Sequence, residues 1–308
     1  MKQAGLLLAV LWAGLVQAQT PEEQPYVRSV VESTGACTFL KDRTYVYSMD
    51  AAGSALTPGT TEFSAIDAAF ATWQVVANTC TDLRFVRGPD LTNPAVGYNA
   101  TPGASNTNVI TFRETSCRDV VPDADPCIDD GSCANAYRCW DHGDFILALT
   151  TVSRGEQTGA IVDADIELNA APHADGSRNL FTAVASPPCP ADAPAPSCVA
   201  IDIQNTLTHE IGHVIGLDHT VSPDSTMAPT ASIGETDKRI LDSGTIQGLC
   251  DIYPRGQPSP TCDASNLTRK QIIAVTSGTA LCAHGAGAPE GLAPLLVVLA
   301  LLGLRARR

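Results

Sequence analysis

The stretch His209-Glu210-Ile211-Gly212-His213-Val214-Ile215-Gly216-Leu217-Asp218-His219 constrains this chain more than any other part of it. On a helix, residues four apart share a face, with Cβ atoms about 5–6 Å apart. His209 and His213 can therefore direct both imidazoles at one ion. Glu210 then flanks that ion without filling a ligand position, placed to polarise a water. Glycine adopts the left-handed conformation cheaply, so Gly216 is suited to end the helix and reverse the chain, returning His219 toward the same ion. Three neutral imidazoles leave the fourth tetrahedral position open, the pattern of a catalytic zinc rather than a structural one. A bare His-Glu-x-x-His also occurs by chance in chains that bind nothing. The added glycine, the third histidine and Met227 downstream single out the zinc reading.

Extended through Thr220-Val221-Ser222-Pro223-Asp224-Ser225-Thr226-Met227-Ala228-Pro229, this stretch resembles the metzincin metalloproteases, and among them the matrixins. Thr220 stands where matrixins usually carry serine, and the Glu and Tyr of astacin-type relatives are absent. The resemblance implies an α+β metzincin fold: a twisted mixed sheet, three main helices, and an active-site cleft between the zinc helix and the Met-turn. It further implies one catalytic zinc on His209, His213 and His219, with Glu210 as general base. Met227 would lie beneath the imidazoles as an apolar floor and bind no metal. Matrixins carry an acidic calcium-binding segment that corresponds here to Ile161–Asn169, which makes Asp163, Asp165 and Glu167 candidate calcium ligands. Alternating acids on the solvent face of a strand would look the same. The histidines of the second, structural zinc of matrixins are replaced by Leu149 or its neighbours and by Ile161, leaving only a His142-x-Asp144 pair.

The 308 residues allow one large or two small domains. A net charge of −14 disfavours nucleic acid or an anionic membrane surface as partner. Eleven cysteines point to disulfides in an oxidising compartment. Lys2, the apolar run Ala4–Val16 and the small-x-small sequence Val16-Gln17-Ala18 read as a signal peptide over residues 1–18. Residues 19–37 form an N-terminal extension, 38–254 the catalytic domain, 255–285 a linker, and 286–308 a hydrophobic tail ending in arginines. That tail resembles the surface-sorting tails of exported myxobacterial proteins, in which a cysteine precedes the hydrophobic segment. Ten body cysteines can pair, leaving Cys282 for processing or lipidation.

Between these ends, Tyr45–Met49, Leu83–Val86, Val109–Phe112 and Phe145–Thr150 read as strands. Thr60 or Thr61 caps a helix whose Phe63, Ile66, Phe70, Trp73 and Val76 form a core-facing stripe. Residues 114–143 form a long loop, with Cys117, Cys127, Cys133 and Cys139 available for two disulfides. Cys189 and Cys198 close a small proline-rich loop, and Asp202 caps the zinc helix. Phe145–Thr150 corresponds to the metzincin edge strand that pairs with an extended substrate. Residues 19–36 are too few for a matrixin prodomain, so no cysteine-switch latency is expected, and Cys37 pairs in a disulfide, with Cys80 as a candidate partner.

The expected function is zinc-dependent hydrolysis of peptide bonds in extracellular proteins by an exported monomer, touching membrane only through its tail. A catalytically silent surface-binding module and a zinc amidase acting on cell-wall peptides are the competing classes. Elemental analysis of the purified protein should give one zinc ion per chain; two would reveal a second site.

Overall fold

The computed structural model describes residues 25–262 and a strand at 281–284. The expected signal peptide and hydrophobic tail lie outside the described residues. In chain order the first half contains β1 (Val27–Arg28), β2 (Phe39–Leu40), β3 (Thr44–Met49), α1 (Thr61–Cys80), β4 (Arg84–Arg87) and β5 (Asn108–Arg113). Three single-turn helices follow: α2 (Cys117–Val120), α3 (Cys127–Asp130) and α4 (Cys133–Ala136). Then come β6 (Ile146–Arg154), β7 (Ala160–Asn169), β8 (Phe181–Thr182), β9 (Ile201–Asp202) and α5 (Ile203–Val214). The remainder is β10 (Leu217–Asp218), β11 (Thr230–Ala231), α6 (Ser243–Ile252) and β12 (Leu281–His284). Three helices, α1, α5 and α6, carry most of the helical packing.

The main sheet runs β11-β12-β6-β7-β5-β3-β4, with β2 also paired to β7. Its pairs are parallel except β6 with β7 and β6 with β12. This is the mixed sheet and helix complement of the metzincin fold. Parallel strands are covered on both faces, and α1 covers one of them here. Ile66, Phe70 and Trp73 of α1 are buried, and the Tyr47 and Phe70 rings stack 3.6 Å apart. Trp73 also donates Nε1–H to the Thr208 carbonyl at 2.9 Å, fixing α1 against α5. The aromatic stripe is core. Thr60 occupies the N-cap of α1 but makes no side-chain cap bond.

Residues flanking the expected 38–254 unit pack onto it at both ends. Residues 25–29 pack onto it: β1 pairs antiparallel with β10, and Ser29 donates its N–H to the Gly216 carbonyl at 2.9 Å. At the other end, Arg255 reaches the Asn78 carbonyl and Gly256 the Asp82 carboxylate, before Cys262 joins Cys37. The candidate Cys37–Cys80 bridge is thus replaced by Cys37–Cys262 and Cys80–Cys250. Those two bridges close separations of 225 and 170 residues, each removing on the order of 5 kcal/mol of chain entropy from the unfolded state in the loop-closure account. Cys117–Cys139 and Cys127–Cys133 staple residues 114–143, and Cys189–Cys198 closes its small loop. The stapled segment contains the turns α2, α3 and α4 rather than being structureless.

Tyr253, at the end of α6, carries the tie between both termini and the centre. Its hydroxyl accepts from the Leu40 N–H at 2.7 Å and donates to the Ile215 carbonyl at 2.8 Å, where α5 ends. All of these groups are buried. Tyr253→Phe leaves two buried backbone groups unpaired and should cost about 1–3 kcal/mol, read as a lower midpoint in chemical unfolding; an unchanged midpoint would mean that water replaces the hydroxyl.

Candidate metal centre and active site

Helix α5 starts where the sequence places it. Asp202 Oδ1 accepts from the Asn205 N–H at 2.7 Å, a side-chain N-cap. The same carboxylate holds Arg239, whose Nε lies 2.8 Å from Oδ1. The helix ends at Val214, and Gly216, just past its cap at Ile215, has φ +92°. A Cβ there would overlap the Thr38 carbonyl, so glycine is required both by conformation and by space. The chain reverses into β10 and brings His219 back over the helix, with β1 pinning the reversal through Val27 opposite Asp218.

The three imidazoles converge. Nε2 of His213 lies 3.1 Å from that of His209 and 3.2 Å from that of His219, and His209 and His219 are 3.2 Å apart. His209 Nδ1 bonds the Thr226 carbonyl at 2.7 Å, and His213 Nδ1 bonds the Leu217 carbonyl at 2.9 Å. A carbonyl only accepts, so each Nδ1 carries the proton and each Nε2 presents a lone pair. Those lone pairs face one another in a buried site and repel. A cation among them removes the repulsion. A tetrahedral ion with bonds of about 2.0–2.1 Å separates its ligand atoms by about 3.4 Å, close to what is found here. Among the described residues this is the one group of three or more His, Cys, Asp or Glu side chains that converges in this way.

The electrostatics agree with ligation. Burial, then the neighbouring imidazoles, hold His209 well below its ordinary value. Burial first, with His219 next, pushes His213 down to about 3, and burial alone takes His219 to about 4. All three are therefore neutral at physiological pH, the form that binds metal. Glu210 is buried, and burial raises its carboxyl to about 8 against a lowering hydrogen bond from Thr150. Thr150 Oγ1 donates to Oε2 at 2.6 Å, while Oε1 has no partner in the protein. A divalent ion beside such a carboxyl favours its ionised form.

Met227 is fully buried, with its Sδ against Gly212 of α5. A Cβ on Gly212 would collide with its Sδ, so the unspecified residue before His213 is glycine because the methionine packs there. Asp242 holds the turn: its Oδ2 accepts from Thr226 N–H at 2.8 Å and Ser225 Oγ at 3.1 Å, while Oδ1 caps α6 through Gly244 and Thr245.

Residues 130–254 match the matrixin family model. That segment includes the whole triad, Glu210 and Met227. Similar curated proteins are Matrix metalloproteinase-15 of Homo sapiens, 34% identical over 65 residues, and Matrilysin of Felis catus, 33% identical over 61. Each alignment covers 20% of this chain, and 10% and 23% of those proteins respectively. Metalloendoproteinase 1-MMP of Arabidopsis thaliana is 31% identical over 80 residues, 26% of this chain and 21% of that protein. The chain thus spans less than a quarter of each of these relatives.

Among the described residues the calcium candidates do not converge as a group of three, although Asp163 lies beside Asp165 with its Oδ2 buried and unpartnered. Asp163, Asp165 and Glu167 share one face of β7, but that face is buried rather than solvated. Glu167 pairs with Arg113, Oε1 to Nε at 2.5 Å. Asp165 accepts from the Gly97 N–H at 2.5 Å and the Val109 N–H at 2.7 Å, and burial raises its carboxyl pKa. His142 is exposed, and Asp144 accepts from the Ala174 N–H. Asp242 and Thr150 were not singled out from the sequence, because neither belongs to a short motif. Thr150→Val removes the hydroxyl that aims Glu210 and should lower kcat about 10–100-fold with zinc content unchanged; loss of zinc instead would assign Thr150 a role in metal retention.

Proposed function

We propose that this chain is an exported zinc-dependent metalloendopeptidase that hydrolyses peptide bonds in extracellular proteins. The matrixin match over 130–254 supports zinc peptidase chemistry at the family level. Five disulfides support an oxidising compartment. The observation that carries the reading is the Glu210 carboxyl: one oxygen is fixed by Thr150, and the other is buried, unpartnered and adjacent in sequence to a converging ligand.

His209, His213 and His219 would hold the zinc, which when bound supplies Lewis acidity toward a water and a scissile carbonyl. Glu210 takes a proton from the attacking water at Oε1, with Thr150 keeping Oε2 in place. The same carboxyl then delivers that proton to the departing amine nitrogen, so the base is regenerated within one turnover. The outer edge of β6 supplies main-chain donors and acceptors that align an extended peptide across the site. The Nδ1 bonds to the Thr226 and Leu217 carbonyls lock two ring orientations throughout. In this reading the apolar tail at 286–308, with Cys282 as its processing residue, tethers the enzyme to the cell surface.

Glu210→Ala should keep zinc bound while casein cleavage falls by at least about 10²–10⁴-fold. Chelation should abolish cleavage by the unaltered protein, and added zinc should restore it. Cleavage at the original rate by Glu210→Ala would refute the assignment.

A further inference from the structure

A short strand far along the chain lies where an incoming peptide would lie. β12 (Leu281–His284) pairs antiparallel with β6, Cys282 opposite Ala148 and Leu281 opposite Leu149. On its other side it pairs parallel with β11, Ala283 opposite Thr230 and His284 opposite Ala231. Both neighbours lead into the candidate metal centre. Thr150, the next residue along β6 from Leu149, hydrogen-bonds Glu210, and β11 begins three residues after Met227. Among the described residues β12 is the only strand on the outer edge of β6 and the only strand that β11 pairs with. The sheet has another edge at β4, and the segment does not add there.

We infer that Leu281–His284 is an intramolecular occupant of the substrate groove, competing with external peptides for the β6 edge; this rests on the peptidase reading above. Main-chain pairing to a sheet edge requires little of the added segment's sequence. Covalent attachment makes up for the shortness of the strand. Eighteen residues, 263–280, separate Cys262 from Leu281, a contour of up to about 60 Å. Cys262 is itself fixed to the body through Cys37. Tethers of this order give effective concentrations of about 1 mM, so even a strand that binds with a millimolar constant fills the groove about half of the time. An external peptide at micromolar concentration then meets a partly blocked edge. Access improves whenever the segment is displaced, cut or drawn away by whatever holds the chain beyond it.

The test uses the full chain with Leu281→Pro and Ala283→Pro together. Proline removes ladder donors and does not persist in a paired central strand, while the disulfide-bonded body is untouched. Two readouts are taken. Hydrogen exchange of the β6 amides at 146–149 should become at least about twofold faster in the variant, and kcat/KM on a quenched fluorescent peptide should rise at least about twofold. A synthetic peptide covering 277–288, with Cys282→Ser so that no thiol reaches the metal, should inhibit the variant competitively, and the same peptide with Ala283→Pro should not. Unchanged exchange would overturn the proposal, as would faster exchange with no gain in kcat/KM. If neither form cleaves any peptide while exchange still rises, the peptidase reading fails and the occupancy stands.

Discussion

The rest of this structure depends on holding three imidazole Nε2 atoms, at least two of them carrying bare lone pairs, within 3.2 Å of one another. Left without a cation, that arrangement is repulsive, and desolvation adds to it, since polar groups taken from water cost free energy unless they are partnered. α5 buries His209, Glu210 and His213 together. The fold holds them by fixing both ends of the helix. Asp202 and Arg239 secure the start, Gly216 and the Tyr253 hydroxyl the end, and the Cys80–Cys250 bridge joins α1, which packs on α5, to α6.

The Met-turn fits the same logic. Its backbone carbonyl at Thr226 fixes the His209 tautomer, its Met227 side chain fills the space left by Gly212, and Asp242 ties it to the cap of α6. One short turn thus couples a ligand tautomer, the packing under the site and the start of the last helix. A Cβ at Gly212 disturbs all three at once, which is why a glycine survives inside a helix where it costs about 1 kcal/mol relative to alanine.

What could be read from the sequence was what is local. The spacing of His209, His213, Gly216 and His219 reflects helix geometry plus one reversal, and Asp202 and the stripe on α1 follow from capping and a 3.6-residue period. The long strands were legible from their β-branched and aromatic residues. Long-range pairings were not: Cys37 and Cys262 are 225 residues apart, and nothing near either cysteine marks the other. The surroundings of the β7 acids were not legible for a different reason. Alternation shows that Asp163, Asp165 and Glu167 share a face, but it does not say whether that face meets water; here it is buried, with Arg113 on Glu167 and the amides of Gly97 and Val109 on Asp165. The 25–29 segment looked like an extension because its role, pinning the turn that carries His219, exists only across β1 and β10.

In the proposed peptidase reading, the sheet edge at β6 poses a conflict that a tethered strand would resolve. A peptidase that reads extended backbone must leave strand donors and acceptors open beside its metal centre, yet an open edge is a template for unwanted pairing between chains. Charges, proline or a bulge on that edge would protect it only by spoiling it for substrate. A tethered strand of the same chain protects it reversibly, because the effective concentration that seats it is lost as soon as its connection is cut or pulled away. β12 lies at this edge and not at β4.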